Sequence, residues 1–154
     1  MKFILKYTIL AAGVLMFNLS FAQDNPVTCD SIAEVTSSYL NTDKDKAMNR
    51  VFISDGQVYR VFLNDEEAAE FETTFYGGST YRIATSAGID DNYIIFEVYD
   101  KEQNLLFSNE DYEYAPYWDF KVTNTLDCTI EVKLDVDKKI SGCASVMIGF
   151  AKQN

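Results

Sequence analysis

Between Leu126 and Asp137 the chain alternates without a fault. Leu126, Cys128, Ile130, Val132, Leu134 and Val136 take one parity, and Asp127, Thr129, Glu131, Lys133, Asp135 and Asp137 take the other. A side-chain period of two belongs to an extended strand, and opposed parities mean one buried face and one wet face. A strand half in water belongs to an antiparallel sheet, whose dry face must be covered by a second layer. The rest of the chain supplies that layer. Trp118, Phe120 and Val122 alternate with Asp119, Lys121 and Thr123; Phe71, Thr73 and Phe75 stand against Glu70, Glu72 and Thr74. Ile94, Phe96 and Val98 lie opposite Glu97, and Tyr81 with Ile83 points inward. Val58–Leu63, Leu105–Phe107 and a last run carrying Ala144, Val146, Ile148 and Phe150 complete the set. Turns fall at Asp55-Gly56, Gly77-Gly78, Asp100–Asn104, and Lys138-Lys139 with Ser141-Gly142. Short strands at regular intervals between Gly and Asx turns predict an all-β antiparallel β-sandwich over residues 50–154.

Two segments precede it. Lys2 and Lys6, the apolar run Tyr7–Phe17 and the small residues Ser20 and Ala22 have the layout of a cleaved signal peptide over 1–22. Residues 23–49 read as one short N-terminal helix and a linker. Ser31 and Glu34 have capping-box spacing, and Ile32, Val35, Tyr39 and Leu40 mark one face. Asn41–Lys46 has no apolar residue and reads as exposed linker. Export places the chain in a periplasmic or secreted setting, where cysteines oxidise.

Composition then removes function classes. The 154 residues include no histidine, which excludes Ser-His-Asp and Cys-His pairs and every His-bearing zinc site. A net charge of −11 argues against a nucleic-acid footprint. The expectation is a non-enzymatic binding or accessory module, monomeric, with no membrane span after signal cleavage.

Several segments share a pattern: Phe75–Ile83 with Gly77-Gly78 before Tyr81, Phe96–Asp100 ending in Tyr99-Asp100, then Leu105-Leu106-Phe107. Tyr117–Phe120 and Ser141-Gly142-Cys143-Ala144 follow. Across residues 70–150 this resembles the bacterial pre-peptidase C-terminal domain, and small secreted proteins of Gram-negative bacteria built from such a domain alone. The resemblance implies a jelly-roll-like sandwich and an accessory role beside secreted peptidases; it implies no catalytic residue.

Three constellations are candidates for chemistry. Cys128 and Cys143 lie in the final two strands, and a bridge between them is expected if those strands are neighbours. Cys143 is out of phase with Ala144, Val146 and Ile148, so the bridge needs a bulge at Gly142. Cys29 is the other partner for either, and buried free thiols are the remaining alternative. Asp91, Asp100, Glu102 and Asn104 put oxygen ligands on two turns, suited to calcium or equally to bonding their own backbone. Tyr112, Tyr114, Tyr117 and Trp118 gather around Pro116 among carboxylates. Such rings stack on sugars or anchor peptides, which makes a glycan or a protein the expected ligand; they also pack in cores.

Overall fold

Each alternating run becomes a strand with its apolar parity turned inward. The computed structural model describes residues 29–89 and 93–152; the expected signal segment and Asp91 lie outside them. In chain order the strands are β1 (Ile53–Ser54), β2 (Tyr59–Leu63), β3 (Ala68–Phe75), β4 (Ser79–Ser86) and β5 (Ile94–Asp100). β6 (Leu105–Ser108), β7 (Tyr117–Val122), β8 (Leu126–Leu134) and β9 (Gly142–Lys152) follow. All pairings are antiparallel. One sheet runs β1-β9-β4-β7 with β2 also on β9, and the other runs β3-β8-β5-β6. The expected antiparallel sandwich is the fold.

The inner faces close on Phe75, Ile83, Ile94, Phe96, Val98, Ile130, Val132, Ala144 and Val146, all at most 1% exposed. Burying one such large side chain contributes about 1.5–3 kcal/mol, so this interleaved layer dominates stability. Inward phase was legible for every long strand, Trp118 and Phe120 included, since both pack against this core.

A third layer lies outside the first sheet. Helix α1 (Cys29–Leu40) crosses β9 and β4, burying Ile32, Ala33, Thr36 and Leu40. Leu40 meets Phe52, Ala84 and Met147 in a second apolar cluster. The helix sits close because β9 carries Gly149 beneath it: a Cβ there would stand 2.7 Å from Leu40 Cδ1. The helix already includes Cys29 and Asp30, so Ser31 lies inside its first turn rather than at its cap.

The reading of 41–46 as a linker is corrected by the structure. Asp43–Ala47 is a second helix, α2, capped by Thr42. Thr42 Oγ1 accepts from Asp45 N (3.3 Å) and Asp45 Oδ2 accepts from Thr42 N (3.0 Å), a reciprocal box. Asp45 is fully buried.

The Cys128–Cys143 pairing is also corrected. β8 and β9 are consecutive in the chain but belong to opposite sheets. Cys128 faces the core as a free thiol, while Cys143 points to the outer face and bridges Cys29 at the start of α1, with Cα atoms 5.2 Å apart. No bulge at Gly142 is needed: the parity that spoiled the expected bridge is what aims Cys143 at the helix.

Candidate functional site

Where the two sheets end in β6 and β7, the sandwich has an open flank, and the aromatic segment 109–118 lies along it. Ser108 caps a 3₁₀ turn over Asn109–Tyr112, its hydroxyl accepting from Glu110 N. The anchor is Asn109, wholly buried. Its Oδ1 accepts from Phe96 N (2.9 Å), and its Nδ2 donates to Ile94 O (3.0 Å) and Ala115 O (3.2 Å). Its carbonyl accepts from Tyr114 N (3.0 Å). One side chain thus ties the loop to β5 at both ends. Between those ties Glu113 and Tyr114 both stand at φ 54°, in the left-handed region that non-glycine residues avoid. Strain of this kind persists only where surrounding bonds over-determine it, and Asn109 supplies them. Asn109→Ala leaves the Phe96 amide and two carbonyls without their partner, and a loss of about 2–3 kcal/mol in chemical denaturation is expected.

The four aromatic residues take different roles. Tyr112 stacks on Phe107 (5.3 Å, 11° between planes) and packs against Trp118 (4.2 Å), yet remains 47% exposed. Trp118 reaches Phe107 at 5.1 Å and closes the core. Tyr114 turns away, under the Lys138 ammonium at 3.9 Å, and Lys138 is held by Asp135 at 2.8 Å. Tyr117 projects from the other face of β7. The structure therefore brings Tyr112 and Trp118 together as one ledge and separates Tyr114 from it. Beside the ledge, Ala115, Pro116, Tyr117, Trp118 and Asp119 line a concavity of about 410 Å³.

Tyr117 leads to a cluster that no sequence pattern marked. The Arg82 guanidinium, 1% exposed, lies between the rings of Tyr117 (4.2 Å) and Phe52 (4.1 Å). Its Nε and Nη2 donate to Asp119 (2.6 and 2.9 Å), and Nη1 and Nη2 to Asp45 (2.5 and 3.2 Å). Nη1 also reaches the Tyr39 and Leu40 carbonyls at the end of α1 (3.2 Å each). Arg50 adds bonds to Asp45 (2.9 Å from Nε) and a contact with Asp119 (3.2 Å). Two guanidinium groups and two carboxylates neutralise one another, and five donors in a planar fork are what allow one arginine to serve α1, α2 and β7. Burial pushes the Asp45 carboxyl up, but the bonds from Arg82, Thr42 and Arg50 outweigh it and hold the group far below the carboxylate range. In the sequence, Arg82 was only a polar residue between Tyr81 and Ile83.

The turn offered for calcium is occupied by its own backbone. Asp100 accepts from Asn104 Nδ2 (2.8 Å), Asn104 N (2.8 Å) and Glu102 N (2.9 Å), bonds from Asn104 first among those lowering its carboxyl. Among the described residues no group of three or more Cys, Asp or Glu side chains could hold a metal ion. No helix among them is long and apolar enough to cross a membrane.

No protein-family model matches the chain, and no curated protein matches it. Among solved structures it is similar to PliG of Aeromonas hydrophila, a periplasmic lysozyme inhibitor of g-type lysozyme. The identity is 10%, the TM-score 0.49, and the likeness covers 62% of this chain and 85% of that one.

Proposed function

We propose that this is an exported, non-catalytic binding module whose recognition surface is the ledge of Tyr112 and Trp118 with the adjoining concavity. One observation carries the reading. The loop holds two consecutive non-glycine residues in left-handed conformations, pinned by a buried asparagine, and thereby presents a half-exposed tyrosine stacked on Phe107 and packed against the chain's single tryptophan. Backbone strain retained beside a half-exposed tyrosine is what a surface shaped for contact would keep. A ring held in place before binding loses little entropy when a partner arrives.

Binding rather than catalysis fits the chemistry of the flank. The chain has no histidine to act as a base, and the Asp119 carboxylate at the concavity is committed to Arg82. A jelly-roll-like sandwich of the pre-peptidase C-terminal type, acting as an accessory unit, belongs to the same proposal.

Tyr112→Ala is the informative variant. Tyr117 is unsuitable because its ring packs on Arg82, and Tyr114 because it lies off the ledge. On a glycan array and an immobilised peptide library, Tyr112→Ala is expected to weaken the wild-type hits about tenfold, as the loss of one stacked ring implies. Circular dichroism should leave the fold unchanged. An absence of wild-type hits on both supports, or hits that Tyr112→Ala leaves intact, would overturn the reading.

A further inference from the structure

We infer that β7 is a docking edge, and that its occupant is an extended cationic peptide segment of a partner protein, added to the first sheet as a further strand. The inference rests on the flank being a recognition surface and names what that surface takes.

Hydrogen-bond parity comes first. β7 pairs with β4 alone, from Ser79↔Val122 to Ala84↔Tyr117. Pro116 O accepts from Thr85 N (2.8 Å) and Val122 O from Gly78 N (2.8 Å), so the even-numbered residues 116–122 direct their backbone groups toward β4. In an antiparallel ladder the intervening residues face the other way. Tyr117, Asp119 and Lys121 therefore aim their N–H and C=O groups outward, with no strand beside them among the described residues. This is a template of alternate donors and acceptors that another extended backbone satisfies, and a sugar ring does not.

Side-chain space matches the same register. A strand laid on β7 places its alternate residues over Trp118 and Phe120, on the inner side of the sheet. Both are only partly buried, and a concavity lies at each end of the edge. One is the 410 Å³ hollow at Pro116–Asp119; the other, about 340 Å³, is bordered by Leu106, Phe120 and Val122. Leu106 is 48% exposed there. Two apolar hollows joined by an open ladder accept alternate apolar side chains of one strand.

The facing edge of the other sheet is blunted. β6 has four residues and a register shift against β5, a common way of blunting an edge.

Charge selects the occupant. Glu110, Asp111 and Glu113 are exposed on the turn at the head of the flank, in a chain of net charge −11. A second copy would bring the same acids and the same net charge to the contact, whereas a cationic strand relieves them.

The probe is an acetylated peptide of about eight residues alternating Lys and Val, long enough to cover an edge strand. Its comparators are the Glu-for-Lys peptide and a peptide methylated on alternate amide nitrogens. With the Lys-Val peptide, hydrogen exchange at the Tyr117, Asp119 and Lys121 amides is expected to slow about tenfold or more. The Glu peptide and the methylated peptide should bind at least about tenfold more weakly. Lys121→Pro removes an outward N–H without touching the β4 ladder and should lose binding to the same degree, while Lys121→Ala stays within about twofold. The methylated peptide tests the same bonds without altering the protein. Equal binding of the methylated or the Glu peptide overturns the inference. Protection of the three amides by raising the protein concentration alone would also overturn it, by making a second copy the occupant. If Tyr112→Ala keeps the peptide and Lys121→Pro loses it, the ledge reading fails and strand addition stands. If glycan hits depend on Tyr112 and the peptide does not bind, the reverse holds.

Discussion

Arg82→Met is expected to lower the stability of the fold by about 3–5 kcal/mol, read as a shift of the denaturant midpoint at unchanged slope. The reason is the charge left behind. With Arg82 gone, the buried Asp45 carboxylate keeps Arg50 and Thr42 but loses two of its bonds, and Asp119 loses two more. The Tyr39 and Leu40 carbonyls at the end of α1 lose their donor as well. Methionine keeps an unbranched apolar stem but not the guanidinium stacked between Phe52 and Tyr117, so the measurement reads the loss of its bonds and of its ring contacts together. The contrast is Lys46→Ala: it breaks the exposed Asp43–Lys46 pair and should move stability by no more than about 0.5 kcal/mol. A loss below about 1 kcal/mol for Arg82→Met would remove the cluster from its place as the junction of α1, α2 and β7.

The same cluster sets the response to acid. The Asp45 carboxyl sits far below its ordinary range in the folded chain and returns to about 3.9 when unfolded. A folded-state value that is depressed means stabilisation fully present above about pH 4 and lost as pH falls, because the unfolded chain takes up the proton first. Stability between about pH 5 and pH 2 should therefore decline with falling pH in the wild type. In Arg82→Met the decline should be shallower.

Removing the bridge with Cys29→Ala and Cys143→Ala together is expected to lower stability by about 2–5 kcal/mol. The cysteines are 114 positions apart, so the bond closes a loop spanning nearly all of the described chain, and long loops lose the most entropy when tied. α1 should loosen first, because its amides lie outside the sandwich, and hydrogen exchange would report them released ahead of β8. Excess reductant should reproduce the loss in the wild type and leave the double variant unmoved. Burial, with Asp127 beside it, pushes the Cys128 thiol up to about 11. Alkylation at pH 8 should accordingly spare Cys128 until the sandwich unfolds. Equal stability of the bridged and unbridged proteins would reduce the bond to a passive contact.

What the sequence made legible follows from where the information sits. Strand faces are local: the parity of Leu126–Leu134 or Trp118–Val122 is written in consecutive residues, and the structure keeps it. The turn at Asp100 is equally local, since Asn104 and the Glu102 amide lie within four residues of the carboxylate that takes them. Asp45 was missed because the segment around it has the composition of a linker. Its burial is decided by Arg82, 37 positions away, across a contact that neither residue announces. The cysteine pairing turns on strand order, which consecutive residues do not record: β8 and β9 are successive in the chain, while β9 inserts between β1 and β4 in the other sheet. The out-of-phase position of Cys143 was a readable sign that its partner stood on the outer face. At the aromatic flank the residues were legible and their division of labour was not. Tyr112 and Trp118 meet only because Asn109 bends the chain between them, whereas Tyr117 is drawn to Arg82 by the β4–β7 register.

The bridge joins the first cysteine of the chain to the third, and this has a consequence for the order of oxidation. If the chain is exported N-terminus first, as the proposed function has it, Cys29 and then Cys128 meet an oxidant before Cys143 has appeared. The first bond then open to it is the wrong one, and a chain that forms it reaches the native bond by thiol–disulfide exchange, the Cys143 thiolate attacking Cys29 and releasing Cys128. Packing of β8 makes that exchange a ratchet. Once Cys128 faces the closed core its thiolate is scarce and out of reach, so it can no longer attack the bond that replaced it. Sheet closure thus fixes the native bond, with the interior cysteine as its pawl.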